Sequence, residues 1–329
     1  MAAVNTLPDP VDYAVPAFVL LVFVEMLIAR AKDRRRYCPK DTLTSLLLGF
    51  GSTIAGALSA GLVYALAVEV HAFRLFEIGW AWWAWPLCFV LDDLAYYAFH
   101  RSAHRVRWFW ASHVIHHSSQ HYNLSTALRQ TWTGFVSLSF LFRLPLFLIG
   151  FPPAMVFFCA GLNLIYQFWI HTEVIGRCPR WFEAVRNTPS HHRVHHATNA
   201  RYLDRNYAGV FIVWDRMFGT FAPERDDDRP RYGLVKNIGT FNLIWAAFHE
   251  WVGIARDVWR APGLAAKLGY AFGPPGWSHD GSRDTSETIR EKWQRRAAWK
   301  NMTSSSSAAA PAAAPSPAGL PEPADTASA

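Results

Sequence analysis

The chain has 329 residues, of which 51% are hydrophobic and only 17% charged, with 16 Trp and 23 Phe. That balance excludes an ordinary soluble domain and points to a membrane protein. The net charge of +7 does not imply nucleic acid as a partner, because much of the basic excess flanks apolar stretches, where Lys and Arg set membrane topology.

The N-terminal residues carry Asp9 and Asp12 and no basic cluster, so the first apolar stretch is expected to be retained rather than cleaved as a signal peptide. Residues 11–30 predict a spanning helix interrupted by one acid, Glu25; about twenty apolar residues cross a bilayer core. Lys32, Arg34, Arg35, Arg36 and Lys40 crowd the next loop, which the positive-inside rule assigns to the cytoplasm, leaving the N-terminus outside. A second span is expected over residues 45–70, rich in Gly, Ala and Ser that let membrane helices approach closely.

A third span is expected to begin near Ile78, behind an interfacial belt of Trp80, Trp82, Trp83 and Trp85. By parity it returns to the cytoplasmic side with His100 near its inner end. Within it Asp93, Tyr96, His100 and His104 fall on one helical stripe. Ionisable residues in spans are usually functional. Asp93 is therefore expected to fix imidazole tautomers, and Asp93 and Tyr96 are the candidate catalytic groups.

Residues 132–150 and 154–170 read as two apolar arms of a helical hairpin, broken at Pro152 and Pro153. Arg143 in the first arm requires either a hairpin that dips only partly into lipid or a protein-facing arginine. The return arm delivers His171 to the cytoplasmic side. Residues 176–235 are turn-rich and cytoplasmic by composition. Residues 241–272 mix aromatics with Glu250, Arg256, Asp257 and Arg260, the pattern of an amphipathic helix on a membrane surface.

From residue 303 the chain is mostly Ser, Ala and Pro and is expected to be disordered. The expected fold class is all-α: a multi-span membrane helix bundle with a cytoplasmic histidine-rich helical cap. The expected division is N-terminal transmembrane helices over 1–90, a histidine-motif catalytic region over 91–235, a membrane-surface segment over 236–302, and a tail over 303–329. Cys38, Cys88, Cys159 and Cys178 are widely spaced and suggest neither a disulfide framework nor a thiolate site.

Eleven of the 14 histidines lie between His100 and His196. They recur as HRSAH (His100, His104), HVIHH (His113, His116, His117) and HRVHH (His192, His195, His196). A lone helical His is more often a satisfied core residue than a ligand, but three clusters at helical spacing are not accounted for that way. Pure imidazole sets suit iron, zinc, copper or nickel. His121 and His191 are off the spacing and fall outside the set.

With His171 the candidates number nine, more than the roughly four to six positions of one metal, so two ions are expected. Near oxygen and lipid, di-iron activation of O2 on a C–H bond suits the set, since iron cycles through oxidation states and zinc does not. Metal-assisted hydrolysis needs only an open position and a base and is the other chemistry the set allows. A metal or haem carrier would place ligands near the midplane, whereas these cluster at one face.

HRSAH, HVIHHSS, YNLSTALRQ, YQFWIHTEV, NTPSHHRVHH and YLDRNYAGVFIVWDRMFGTF together resemble the fatty acid hydroxylase and sterol desaturase superfamily, most closely its alkylglycerol monooxygenase branch, over residues 91–221. The resemblance implies two Fe ions held by His100, His104, His113, His116, His117, His171, His192, His195 and His196. It also implies an O2-dependent oxidation of a membrane lipid, with lipid or sterol desaturation as the alternative outcome of the same cage. In the alkylglycerol branch hydroxylation beside the ether oxygen releases an aldehyde and a glycerol. Members using tetrahydrobiopterin carry Glu where this chain has Arg105, and Gln120 and His121 depart from the same pattern. Exchanging acid for base beside the site is expected to alter which reductant docks there, a reduced pterin or a redox protein.

Overall fold

Pro10 opens α1 (Pro10–Lys32) with Asp12 in its first turn; the ring's fixed φ suits a first helical position and the acid complements the helix dipole. The computed structural model describes residues 7–32 and 37–308, and among them the chain is helical with no strand. Arg34, Arg35 and Arg36 of the expected basic loop, and residues 309–329 of the expected tail, lie outside the described residues.

α1 and α2 (Pro39–Ala72) are long and apolar enough to cross a bilayer, and their most apolar windows are only 17% and 6% buried. Leu20, Phe23, Leu58 and Leu62 point outward, unlike the side chains of a soluble core helix. At about 1.5 Å per residue α2 exceeds the roughly 30 Å hydrocarbon core. The surplus is at its start, where Asp41, Thr42, Thr44, Ser45 and Leu48 are buried. The helix thus begins inside protein, ahead of the expected residue 45.

Residues 78–83 form turns around Gly79, so the third helix starts later than expected, as α3 (Ala84–Arg105). Val106 adopts an extended conformation and breaks the chain before α4 (Arg107–His117). Asn123 caps the short α5 (Leu124–Ala127) through its side chain.

The first hairpin arm is not the continuous helix expected over 132–150. It comprises turns, a 3-10 segment at Ser139–Arg143 and α6 (Leu144–Ile149), because Leu138 takes φ +60° and Pro145 cannot extend a preceding helix. α7 (Pro153–Trp169) starts on its proline as expected. Arg143 faces protein, donating to Asp92 at 2.7 Å. Then follow α8 (Arg180–Val185), α9 (Pro189–His195), α10 (Val213–Met217), α11 (Leu243–Arg260), α12 (Gly263–Phe272) and α13 (Ser286–Ala308), the last running into the start of the expected tail.

A buried cluster of Ala67, Ala84, Cys88, Phe147, Phe151, Met155 and Cys159 joins α2, α3, α6 and α7. Phe18 stacks on Phe168 at 4.1 Å and fastens α1 to α7. Each such buried ring contributes roughly 1.5–3 kcal/mol. α11 is locked to α4 by Arg107, which donates to Glu250 at 2.6 Å and Asp257 at 2.7 Å.

Candidate metal centre

Four chain segments deliver the nine histidines to one place. α3 presents His100 and His104 one turn apart, α4 presents His113, His116 and His117, the turn after α7 presents His171, and the end of α9 presents His192, His195 and His196. They form two groups: His100, His104, His113, His117 and His195, and then His116, His171, His192 and His196. Within each group one nitrogen per ring lies within 4.8 Å of the others. The groups adjoin, since His117 stacks on His196 at 4.3 Å.

The hydrogen bonds fix which nitrogen carries the proton. His100 Nδ1 bonds the Tyr207 carbonyl at 2.7 Å, His116 Nδ1 that of Arg129 at 3.2 Å, His171 Nδ1 that of Gln167 at 2.8 Å, and His195 Nδ1 that of Arg205 at 3.0 Å. A carbonyl can only accept, so each Nδ1 is the donor and each Nε2 of the neutral ring holds a lone pair. Yet His171 Nε2 lies 3.1 Å from His116 Nε2. Two lone pairs facing at that distance repel.

Protonation does not relieve the conflict. Burial pulls His116 down to about 4 and holds His117, His192, His195 and His196 well below the usual imidazole value. His104 Nε2 is also buried without a partner. A cation at each convergence point satisfies these lone pairs, so the donor set fits a metal ion in each group.

Asp93 is placed differently from the expectation. Its carboxylate touches no imidazole; it accepts from the Val210 and Phe211 backbone N–H groups at 2.7 and 2.9 Å, Trp214 Nε1 at 2.8 Å and Asn163 Nδ2 at 2.9 Å. The expected tautomer-fixing role is thereby corrected, because those four donors take up its lone pairs. Asp93 instead clamps the segment whose Tyr207 carbonyl orients His100. A Cβ at Gly209 would come within 2.7 Å of Asp93 Oδ1, so only glycine lets this backbone close in. Tyr96 packs against His100 at 5.2 Å between ring centroids.

The partners that orient the rings were not foreseeable from residue type. Tyr207, Arg129, Gln167 and Arg205 act through carbonyls, which every residue possesses. Two acids stand one layer further out. Asp41, from the buried start of α2, accepts from the Arg129 guanidinium at 3.0 Å. Glu25, the expected interruption of α1, accepts from Tyr37 Oη at 2.5 Å and the Leu124 N–H at 2.7 Å, and also from the hydroxyl of Thr172 beside His171.

His121 and His191 lie outside both groups, as expected. Arg105 is exposed and, with His104, Asp204 and Glu287, lines a cavity of about 30 Å³.

Residues 85–220 match the fatty acid hydroxylase family. Alkylglycerol monooxygenase from Danio rerio is 40% identical over 280 residues, covering 84% of this chain and 62% of the relative. The Homo sapiens alkylglycerol monooxygenase is 40% identical over 275 residues, covering 82% and 60%. Ornithine lipid hydroxylase OlsE from Rhizobium tropici is 26% identical over 189 residues, covering 55% and 56%. The chain thus spans about three-fifths of the length of the alkylglycerol monooxygenases it matches. No solved structure matches.

Proposed function

We propose, from the match of residues 85–220 to the fatty acid hydroxylase family, that the chain is an O2-dependent membrane monooxygenase acting on a lipid alkyl or acyl chain, including the cleavage of ether lipids to an aldehyde and a glycerol. The observation that carries this reading is the pair of imidazole groups whose Nε2 lone pairs converge without protons to separate them. Two Fe ions are the proposed occupants, one per group, and when bound they supply activation of O2.

The chain's own residues do the rest. The four backbone carbonyls hold His100, His116, His171 and His195 as neutral donors aimed inward. Asp93, acting through the Tyr207 segment, and Tyr96, packed on His100, position rather than ligate. One oxygen atom enters a C–H bond of the substrate and the other leaves as water, with two electrons and two protons supplied from outside. Oxidation beside an ether oxygen yields a hemiacetal that collapses to aldehyde and alcohol.

In this reading α1 and α2 span the bilayer, α3 and the α6–α7 hairpin complete the bundle, and the histidine cap faces the cytoplasm. α11 and α12 lie on the membrane surface, where the exposed Ile244, Phe248, Val252, Trp259, Leu264 and Leu268 meet lipid. The catalytic region is 91–235. The electron donor is a redox protein or a reduced pterin, and Arg105, which stands where pterin-using members carry Glu, argues against the pterin.

The test is metal analysis of the purified protein with an oxygen-dependent assay on ether lipids, with and without reduced pterin. About two irons per chain and aldehyde release are expected. Zinc alone, with no oxygen uptake on any lipid, overturns the reading.

A further inference from the structure

Between α9 and α10 the chain makes a loop, Asp204-Arg205-Asn206-Tyr207, that meets three of the five histidines of the first group. The Tyr207 carbonyl accepts from His100 Nδ1 at 2.7 Å and the Arg205 carbonyl from His195 Nδ1 at 3.0 Å. Asp204 Oδ1 faces His104 Nδ1 across 3.6 Å. The Tyr207 ring packs among the same three imidazoles, its centroid 6.1, 5.4 and 6.1 Å from those of His100, His104 and His195. His113 and His117 complete the group from α4. The carbonyls that orient His116 and His171 of the second group belong to Arg129 and Gln167, so this loop serves the first group.

A carbonyl can orient a ring only where the backbone carrying it is itself fixed. Asp204 and Asn206 both take φ +56°, a region that most L-residues avoid and that Asn and Asp tolerate. Asn206 stands between the two carbonyls and is 0% exposed. Its Nδ2 donates to the His191 carbonyl at 3.0 Å and the Ala222 carbonyl at 2.8 Å, and its Oδ1 accepts from the Ala222 N–H at 2.8 Å. Its backbone N–H donates to the Thr220 carbonyl at 3.1 Å. His191 lies on α9 one turn before His195, so the amide ties the loop to the helix whose histidine it orients. Further along, Asp215 accepts from the Tyr207 and Ala208 N–H groups at 2.9 and 2.8 Å. A buried polar network whose members are satisfied holds one arrangement.

We propose that Asn206 is a positioning residue for the first metal group: by pinning the 204–207 loop to α9 and to Ala222, it fixes the tautomer and orientation of His100 and His195 and keeps Asp204 against His104. This deepens the monooxygenase reading and rests on it for the metal, not for the ring orientation. Asn206 acts through the loop backbone. A ligand set needs its rings held within about 10–20° of the productive geometry, so a loosened loop weakens metal in the first group and leaves the second to Arg129 and Gln167.

Metal-free full-length protein in detergent is titrated with Co(II), whose visible absorption follows ligand number and geometry, as wild type, Asn206→Gly and Asn206→Asp. His195→Ala and His171→Ala mark which absorption belongs to which group. Asn206→Gly keeps the positive φ and removes the amide; Asn206→Asp sets carboxylate oxygens against the His191 and Ala222 carbonyls. In each variant that folds, a loss of about 10–100-fold in first-group affinity is expected, with the second group unchanged. Equal weakening of both groups, or wild-type affinity in the first, overturns the proposal.

A second measurement needs neither metal nor a variant. Nitrogen-15 NMR of histidine-labelled, metal-free wild type is expected to show His100 and His195 protonated at Nδ1, and protonation at Nε2 overturns the proposal. If wild type bound no Co(II), the metal reading would fall while the tautomers still decided the positioning.

Discussion

Arg129 supports His116 with its backbone while Asp41 holds Arg129 by its side chain: the carbonyl oxygen accepts His116 Nδ1 at 3.2 Å and the guanidinium bonds the Asp41 carboxylate at 3.0 Å. Arg129 is 1% exposed and Asp41 4%, so the pair is a dry ion pair connecting the start of α2 to the second histidine group. Its guanidinium also donates to Ser118 and Ser45.

Asp41→Asn leaves a buried guanidinium uncompensated. A destabilisation of about 3–5 kcal/mol is expected, with metal lost from the second group first because His116 loses its support. Thermal unfolding in detergent and metal content per chain check both. An unchanged melting temperature would show that the pair contributes nothing net.

His171 and His195 belong to different groups, so their alanine variants should differ in where the loss falls. Each single variant is expected to retain its fold and lose roughly half of the bound metal, and the double variant nearly all. Equal and complete loss from either single variant would show that the two groups fill as one unit.

Asp93→Asn replaces one of two acceptor oxygens by a donor, which faces either the N–H groups of Phe211 and Trp214 or those of Val210 and Asn163. A loss of about 3 kcal/mol is expected, with activity falling because the Tyr207 carbonyl no longer fixes His100. Metal should be lost from the first group before the second. The reverse order, read by spectroscopy of partly loaded protein, would place Asp93's influence elsewhere.

Arg283, aided by Arg107, holds the Asp257 carboxyl down at about 2. Its ordinary value is about 3.9, so the unfolded chain binds a proton that the folded one resists, and stability rises with pH through this window. The contribution is complete above about pH 4 and is lost as pH falls toward about 2. Melting of metal-stripped wild-type and Asp257→Asn protein across that range should show a difference that shrinks as pH drops. A constant difference would place the stabilisation outside this ion pair.

The local periodicities were legible without coordinates. Apolar length marked α1 and α2, Pro153 marked the start of α7, and the three-and-four spacings marked the histidines that point the same way. The arm over 132–150 was misjudged because apolar content alone does not register a left-handed Leu138 or a helix restart at Pro145. Asp93 was misjudged for a related reason: a carboxylate on the histidine stripe has no way to announce that three N–H groups more than a hundred residues later will reach it first.

The sequence by itself marked which imidazoles share a helical face within a motif, since residues three and four apart lie on one stripe whatever surrounds them. Only the tertiary structure decided how they divide. His116 and His117 are neighbours in sequence but point about 100° apart around α4. His117 joins His100 and His195, while His116 turns to His171 and His192. The proton on His100, His116, His171 and His195 was likewise settled by folding, because the partner at Nδ1 is a backbone carbonyl brought from another segment or the preceding turn. Such an acceptor has no residue identity, so its position is a property of the packed chain alone.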